Sequence, residues 1–217
     1  MSSETHIFDV DHTISRHSTG IHFLYEGIRM GVLPLFPVMT IPAIYLKYRS
    51  GRMAHGRVRE TIPGLQGKSC EELRRVAREC FARRIKHDLF PSAVALIRSI
   101  VDRGGHVVLA TLSVDIIVEP LAAFLGVDDI IASSFEFDDG ICTGRFAGGP
   151  MFNVAKRDQV LQFLAERGRR LEDCSFYSDS INDLPLLEAV GHPVAVNPDR
   201  KLSAESAARK WSVVSWR

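Results

Sequence analysis

Two carboxylates stand two residues apart where the first apolar stretch of the chain ends. Asp9 and Asp11 follow Ile7 and Phe8 in the segment HIFDVDHT. Side chains at i and i+2 share a face of a strand, and open α/β sheets bind ligands beyond the carboxyl ends of their strands. An Asp-rich turn would give the same pattern. A strand in this place would instead present the two acids as a pair in a chemical site.

A second acid cluster follows another short apolar stretch. The run CSFYS at 174–178 is followed by DSIND at 179–183. If both stretches are strands of a parallel sheet, Asp179 emerges on the same edge as Asp9. Hard cations such as Mg²⁺ prefer oxygen ligands and often use one or two carboxylates together with a substrate phosphate. The sequence therefore predicts a magnesium site, although helix N-capping would also explain Asp179 or Asp183.

Two further residues have the chemistry to hold a phosphate. Thr111 ends a predicted strand, where its hydroxyl and backbone N–H groups near a helix N-terminus could bind a phosphoryl oxygen. Lys156 is the only lysine between Thr111 and Asp179, and it lies at the start of a predicted helix. The helix dipole disfavours a cation there. This placement indicates a functional use, with a solvated surface lysine as the alternative.

The composition favours a small polar substrate over nucleic acid. The 217 residues can bury a full core, and 27 Lys and Arg against 26 Asp and Glu give a net charge of +1, which provides no field to steer nucleic acid. The scattered cysteines form no CxxC pair, and the N-terminus shows no secretory signal, so a reducing cytoplasm is the predicted location. The four cysteines are Cys70, Cys80, Cys142 and Cys174.

One uncharged stretch is long enough to raise the question of a membrane-spanning helix. Met30–Leu46 has 17 residues with three prolines and is followed by basic residues. It is shorter than the ~20 residues that a spanning helix needs, so we predict two packed helices, with contact to a bilayer or an acyl chain as the alternative. A nearby basic cluster could bind a second anionic group of the substrate or form a solvated face. That cluster comprises Arg49, Arg52, His55, Arg57 and Arg59.

The periodicity predicts a doubly wound parallel sheet with an inserted helical cap. The first strand, Ile7–Val10, is separated from the next, Val107–Thr111, by a mainly helical interval with helices Ile21–Val32, Leu35–Tyr48, Cys70–His87 and Ser92–Arg103. Helices and strands then alternate: helix Ile116–Leu125, strand Asp129–Ala132, a hairpin across Phe137–Arg145, helix Ala155–Arg167, strand Cys174–Ser178, helix Leu184–Ala189 and strand Pro193–Val196. We place the catalytic core at 1–15 and 90–217 and the cap at 16–89.

Taken in order, these segments resemble the haloacid dehalogenase (HAD) superfamily of phosphohydrolases. DVDHT at 9–13 fits its first motif, DxDxT; Thr111 fits the second, Lys156 the third, and DSIND the fourth. The long helical insert is similar to the C1-type cap of subfamily IB, the phosphoserine-phosphatase-like branch. Shorter similarities to that branch lie at 118–121, 138–144 and 196–199. The resemblance implies a HAD-like Rossmannoid core.

The resemblance also implies a Mg²⁺-dependent phosphomonoesterase that forms an aspartyl-phosphate. Asp9 would attack phosphorus, and with an ordinary pKa near 3.9 it would already be ionised at neutral pH. Asp11 would protonate the leaving oxygen and then activate water. The implied metal ligands are Asp9, Asp179 and the backbone carbonyl of Asp11; the implied phosphate-binding residues are Thr111, Ser113 and Lys156; Asp183 and Asn182 would support them.

Two departures from that branch bear on the substrate. Phosphoserine phosphatases of the branch typically carry a Glu nine residues after the nucleophile to hold the substrate amine, and here that position is Ser18. They also carry a glycine pair after the second motif, whereas Thr111 is followed by Leu112 and Ser113. We therefore predict a small phosphorylated metabolite other than phosphoserine. The alternatives are a lipid or lipid-like phosphate, phosphotransfer to an acceptor other than water, and a non-hydrolytic phospho-accepting regulatory protein.

Overall fold

The computed structural model describes residues 4–35, 62, 64–148, 151 and 153–217. The predicted helix Leu35–Tyr48 beyond its first residue, and the basic cluster that follows it, lie outside this range. The strands are β1 (Thr5–Phe8), β2 (His106–Val114), β3 (Asp129–Asp138), β4 (Ile141–Ala147), β5 (Cys174–Ser178), β6 (His192–Val196) and β7 (Ser212–Val214). The helices are α1 (Thr19–Arg29), α2 (Cys70–Cys80), α3 (Pro91–Asp102), α4 (Asp115–Leu125), α5 (Val154–Ala165), α6 (Leu184–Leu187) and α7 (Arg200–Arg209).

The strands form one sheet in the order β4-β3-β2-β1-β5-β6-β7. All neighbouring pairs are parallel except β3 and β4, which form a hairpin. The chain starts in the middle strand, and Phe8 is aligned with Leu109 of β2 and Tyr177 of β5. This register brings the ends of β1 and β5 to one edge. The predicted doubly wound α/β fold is confirmed.

Apolar side chains cover both faces of the sheet. Ile7 and Phe8 point to opposite faces and belong to two separate buried clusters. Helices α1 to α4 pack on the Phe8 face, and α5, α6 and α7 pack on the Ile7 face. The helical layers keep water from the strands, which leaves the carboxyl edge as the open side of the sheet.

Helices α1 and α2 join the sheet through the same apolar cluster. Phe23 of α1 and Leu73 and Val76 of α2 are buried together with Phe8. Helix α2 begins with a capping box between Ser69 and Glu72, and the helical path continues through a π-helical turn and a short α-helical segment. Those last two pieces are Phe81–Ile85 and Lys86–Asp88. The boundaries of a separate cap at 16–89 stay a prediction.

Several element boundaries differ from the prediction. Strand β2 continues past Thr111 to Val114, because pairing with β3 resumes after a register shift between those two residues. The predicted strand Asp129–Ala132 and the first half of the predicted hairpin form one long strand, β3. The prediction missed α7 and β7. Helix α7 has few buried residues and β7 has three residues, so neither gives a clear apolar period.

The described helices bear on whether this chain contains a membrane-spanning helix. None of the helices in the described part of the chain combines the length and the hydropathy that spanning a bilayer requires. Beyond residue 35, most of the uncharged stretch from Met30 to Leu46 lies outside that part. Membrane contact by this stretch therefore stays an alternative.

Candidate active site

The carboxyl edge of the three central strands contains a small polar cavity of about 50 Å³. Asp9 follows β1, and its backbone N–H donates to the carbonyl of Tyr177 at 2.9 Å, which fixes it beside the end of β5. The described residues that line the cavity are Asp9, Asp11, His12, Thr111, Leu112, Lys156, Asp179, Ser180, Asn182 and Asp183. Seven of the eight residues with predicted roles are thus brought together.

Lys156 lies between two buried carboxylates. Its Nζ donates to Asp9 Oδ1 at 2.9 Å and to Asp183 Oδ2 at 3.0 Å, and its side chain is almost fully buried. Ser178 Oγ donates to the same Asp183 oxygen at 2.7 Å. Because a buried ammonium is costly unless it is paired, these carboxylates explain how the third residue of α5 can be a buried cation. The contacts fix the Lys156 ammonium between Asp9 and Asp183.

The environment of Asp9 changes its acidity. Burial raises the pKa of Asp9 to about 7; the nearby Lys156 opposes the rise, while Asp183 and Asp11 add to it. The expectation of an ordinary pKa at this position is therefore wrong for the protein without a bound cation. A second positive charge beside the carboxylate would lower this pKa and favour the ionised form.

Thr13 links the two acid clusters. Its hydroxyl accepts the backbone N–H of Asp179 at 3.0 Å and lies 3.3 Å from Asp9 Oδ2 and 3.5 Å from Asp179 Oδ1. The carboxylates of Asp9 and Asp179 are thereby held close together in a water-accessible cavity. Two carboxylates at one polar edge match the oxygen ligands that Mg²⁺ prefers, so the residues present fit this cation.

Asp11 is held by the beginning of α1 rather than by the sheet. Ser18 Oγ donates to its Oδ2 at 2.9 Å, while the backbone N–H and hydroxyl of Thr19 donate to its Oδ1 at 2.9 and 2.7 Å. Directly after Asp11, His12 has a left-handed φ of 64° and also lines the cavity. Asp9 and Asp11 both line this cavity, so the two acids share one space.

The two hydroxyl residues predicted to hold phosphate occupy different places. Thr111 lies at the register shift in β2 and lines the cavity. Ser113 Oγ instead contacts Thr19 Oγ1 at 2.7 Å, behind Asp11, and Ser113 is not among the described lining residues. Its backbone N–H donates to Thr111 Oγ1 at 3.1 Å. A positioning role toward Asp11 fits these contacts better than direct phosphate binding.

An apolar pocket of about 130 Å³ adjoins the start of α1. Its described lining residues are Ser18, Gly20, Ile21, Phe23, Leu24, Ile62, Leu65, Val114, Ile117 and Phe135. None of these residues is charged. Ser18 belongs both to this lining and to the group that holds Asp11, so the pocket lies on the side of Asp11.

Sequence reasoning missed four residues that build the site. Thr13, Ser18, Thr19 and Ser178 hold the carboxylates of Asp9, Asp11, Asp179 or Asp183. Thr13 was visible as the last letter of the DxDxT motif, so its role could have been found. The contacts of Ser18 and Thr19 depend on where α1 begins; Ser18 is its N-cap and is of a residue type favoured there, so this signal could have placed the helix start.

The raised pKa of Asp9 predicts a pH-dependent stability. The unfolded residue releases its proton near 3.8 and the folded one near 7. Between these values the unfolded state binds fewer protons, so stability falls as pH rises. Without Mg²⁺ at pH 8, Asp9→Asn is expected to stabilise the protein by about 1–3 kcal/mol, a rise in Tm of roughly 3–9 °C.

Differential scanning calorimetry from pH 4 to pH 8 in EDTA measures this effect. The Tm difference between the variant and the native protein should grow with pH and level off above pH 7. Asp158→Asn, at an exposed position on α5, is the control and should shift Tm by no more than about 1 °C. An Asp9→Asn protein that melts below the native one at pH 8 would contradict the argument.

Comparisons with known proteins agree with this geometry. Residues 7–188 match the family model of haloacid dehalogenase-like hydrolases. A histidinol-phosphatase of Neisseria meningitidis serogroup C is 36% identical over 217 residues, covering 97% of this chain and 98% of that protein. A Bordetella pertussis protein of unknown function has a crystal structure that superposes with a TM-score of 0.85 at 31% identity, covering 99% of both chains.

A more distant structure supports the fold. A phospho-aspartyl intermediate analogue of phosphoserine phosphatase superposes with a TM-score of 0.66 at 21% identity, covering 98% of this chain and 93% of that one. Together, the fold, the site and the relatives define a phosphoric monoester hydrolase. The chain belongs to the haloacid dehalogenase-like hydrolase family. The predicted family and enzyme class are confirmed.

Proposed function

We propose that this phosphatase hydrolyses its substrate through an aspartyl-phosphate on Asp9. The observation that supports this most directly is the shared cavity, in which Lys156 contacts Asp9 and a second acid, Asp11, faces the same space. A carboxylate oxygen of Asp9 attacks phosphorus, and the bond to the leaving oxygen breaks. Asp11 gives that oxygen its proton. Asp11 then takes a proton from the water that attacks phosphorus, which releases inorganic phosphate and restores Asp9.

The proposal includes Mg²⁺ held by Asp9, Asp179 and the backbone carbonyl of Asp11. When bound, the cation supplies positive charge that offsets the repulsion between carboxylate and phosphate. Lys156 provides a second positive charge beside Asp9 and is fixed by Asp183, which does not react. Thr111 and Asn182 line the cavity where a phosphoryl oxygen or a water would bind.

The preferred substrate is a small phosphorylated alcohol, and histidinol phosphate is our first candidate. The relative from Neisseria meningitidis that matches along its whole length is named for that activity. The apolar pocket beside Asp11 offers Phe23 and Phe135 to a planar ring. Ser18 stands where the phosphoserine-specific branch carries Glu, and no described lining residue of the pocket is charged. The absence of a cation among the described lining residues disfavours the carboxylate of phosphoserine, which histidinol phosphate lacks.

A lipid-like phosphate is the second candidate. The same apolar lining around Ile21, Leu24 and Leu65 would accept an acyl or alkyl chain. The two candidates differ in what the pocket would hold: a compact ring or an extended chain.

A substrate panel tests both candidates. Phosphate release is measured with histidinol phosphate, phosphoserine, glycerol phosphate and a short-chain acylglycerol phosphate, each with Mg²⁺ and with EDTA. Histidinol phosphate is expected to exceed phosphoserine in kcat/KM by at least about 10²-fold, because the described lining of the pocket offers no cation to the serine carboxylate. EDTA should abolish turnover, and added Mg²⁺ should restore it. Phosphoserine ranking first would overturn the substrate proposal, and activity in EDTA would overturn the role of Mg²⁺.

A further inference from the structure

A cluster of two histidines and one aspartate lies outside the acidic cavity, at the base of α1. His17, His22 and Asp88 each offer one donor atom, and these atoms all lie within 4.8 Å of one another. His17 Nδ1 is 2.7 Å from Asp88 Oδ1, and His22 Nε2 is 3.1 Å from Asp88 Oδ2. The proposed hydrolysis reaction uses none of these side chains.

The cluster joins the two chain segments that connect α1 and α2 with the sheet. The outgoing segment leads from β1 to α1 and contains His17, and the returning segment leads from α2 to α3 and contains Asp88. Arg16 N–H donates to the Asp88 carbonyl at 2.9 Å, and Phe90 N–H donates to the Ile14 carbonyl at 2.9 Å. His17 and Asp88 therefore come from two segments that backbone hydrogen bonds already fix side by side, and His22 comes from α1.

The donor set is suited to a transition metal. Two imidazole nitrogens, one carboxylate and a water form a common tetrahedral set for Zn²⁺. Ligands about 2.1 Å from one ion at tetrahedral angles lie about 3.4 Å apart. The observed nitrogen-to-oxygen distances of 2.7 and 3.1 Å differ from that value by amounts that small side-chain rotations can supply.

The surroundings of the cluster support a metal site in two further ways. The backbone N–H of His17 donates to Asp88 Oδ2 at 2.9 Å and orients the carboxylate without using a histidine ring. Such hydrogen bonds around the ligands are typical of metal sites. The side chain of His17 is 69% exposed, while those of His22 and Asp88 are 21% and 12% exposed. An ion could therefore enter from the His17 side.

From these observations we infer that His17, His22 and Asp88 form a second metal site, which takes Zn²⁺ or a similar divalent transition metal. The ion links the outgoing and returning segments at the base of α1. Ser18 and Thr19, which donate hydrogen bonds to Asp11, follow His17 directly, so this link also stabilises the position of the Asp11 carboxylate. The site does not depend on the proposed hydrolytic function.

Calorimetric titration of the metal-stripped full chain with Zn²⁺ tests the site. The titration is done in excess Mg²⁺, which occupies the oxygen ligands of the acidic cavity, and is repeated with Asp179→Asn. The native protein and Asp179→Asn should each bind one Zn²⁺ at this cluster. His17→Gln and His22→Gln should weaken binding by at least about tenfold, while His87→Gln, an exposed neighbour, should leave it unchanged.

Thermal unfolding supplies a second readout. Zn²⁺ should raise the Tm of the native protein and of His87→Gln, but not that of His17→Gln, because a ligand that binds only the folded state stabilises it. His17→Gln is the decisive variant, since its exposed side chain can change without disturbing the core. Absence of Zn²⁺ binding by the native protein, or equal binding by His17→Gln, would overturn the inference.

Discussion

Replacing Asp9 with Asn is expected to lower kcat/KM for the preferred phosphomonoester by at least about 10⁴-fold. The amide has nearly the shape of the carboxylate but cannot form an acyl phosphate. Lys156 keeps its contact with Asp183, so the rest of the cavity should be preserved. Phosphate release under saturating Mg²⁺ measures the loss.

A trapping experiment separates loss of the nucleophile from loss of structure. Native enzyme quenched in acid during turnover of radiolabelled substrate should carry label on the peptide that contains Asp9, and the variant should carry none. Asp158→Asn, at the exposed surface of α5, should retain full activity and labelling. Asp9→Asn turnover within about tenfold of the native rate would exclude Asp9 as the nucleophile.

Replacing Asp11 with Asn should have an effect that depends on the leaving group. With an alkyl phosphate, loss of the proton donor is expected to lower kcat/KM by about 10²–10⁴-fold. With p-nitrophenyl phosphate, whose phenolate leaves without a proton, the loss in the phosphoryl-transfer step should be less than about tenfold. Pre-steady-state release of nitrophenolate measures that step before dephosphorylation limits turnover.

The same variant should accumulate the aspartyl-phosphate, because Asp11 also activates the hydrolytic water in the proposed mechanism. Thr19→Val is the matched control, because it disturbs only the orientation of Asp11. It removes one hydroxyl donor to Asp11 but keeps the carboxyl group. It should show a smaller loss with the same dependence on the leaving group. An equal loss for both substrates in Asp11→Asn would contradict the acid role.

The sequence predicted much of the fold because its buried strands are short and apolar. The segment before Asp9 and the segment at 174–178 could be placed in one parallel sheet, and parallel register then required Asp9 and Asp179 to be neighbours. Lys156 could be selected because a lone lysine at a helix start needs a compensating charge. These inferences rest on the periodicity of apolar residues and on the positions of charged residues, and both can be seen in short stretches of sequence.

Other features depend on contacts that local sequence does not contain. The register shift after Thr111 turns Ser113 toward Thr19, and no glycine or proline marks it. The raised pKa of Asp9 follows from burial by the assembled loops. The histidine and aspartate cluster joins His22 and Asp88, which are 66 positions apart in the chain. Each of these features needs the packed tertiary structure.

The attachment of Asp11 to α1 has a consequence for the timing of proton transfer. Asp11 belongs to the loop after the central strand, yet its three hydrogen-bond donors come from Ser18 and Thr19 at the beginning of the first helix. Any displacement of that helix removes all three at once. The orientation of the Asp11 carboxyl group is therefore coupled to the packing of α1 on the sheet. A substrate whose leaving group fills the space beside Ser18 would meet an aligned proton donor. Water that enters while α1 is displaced would not.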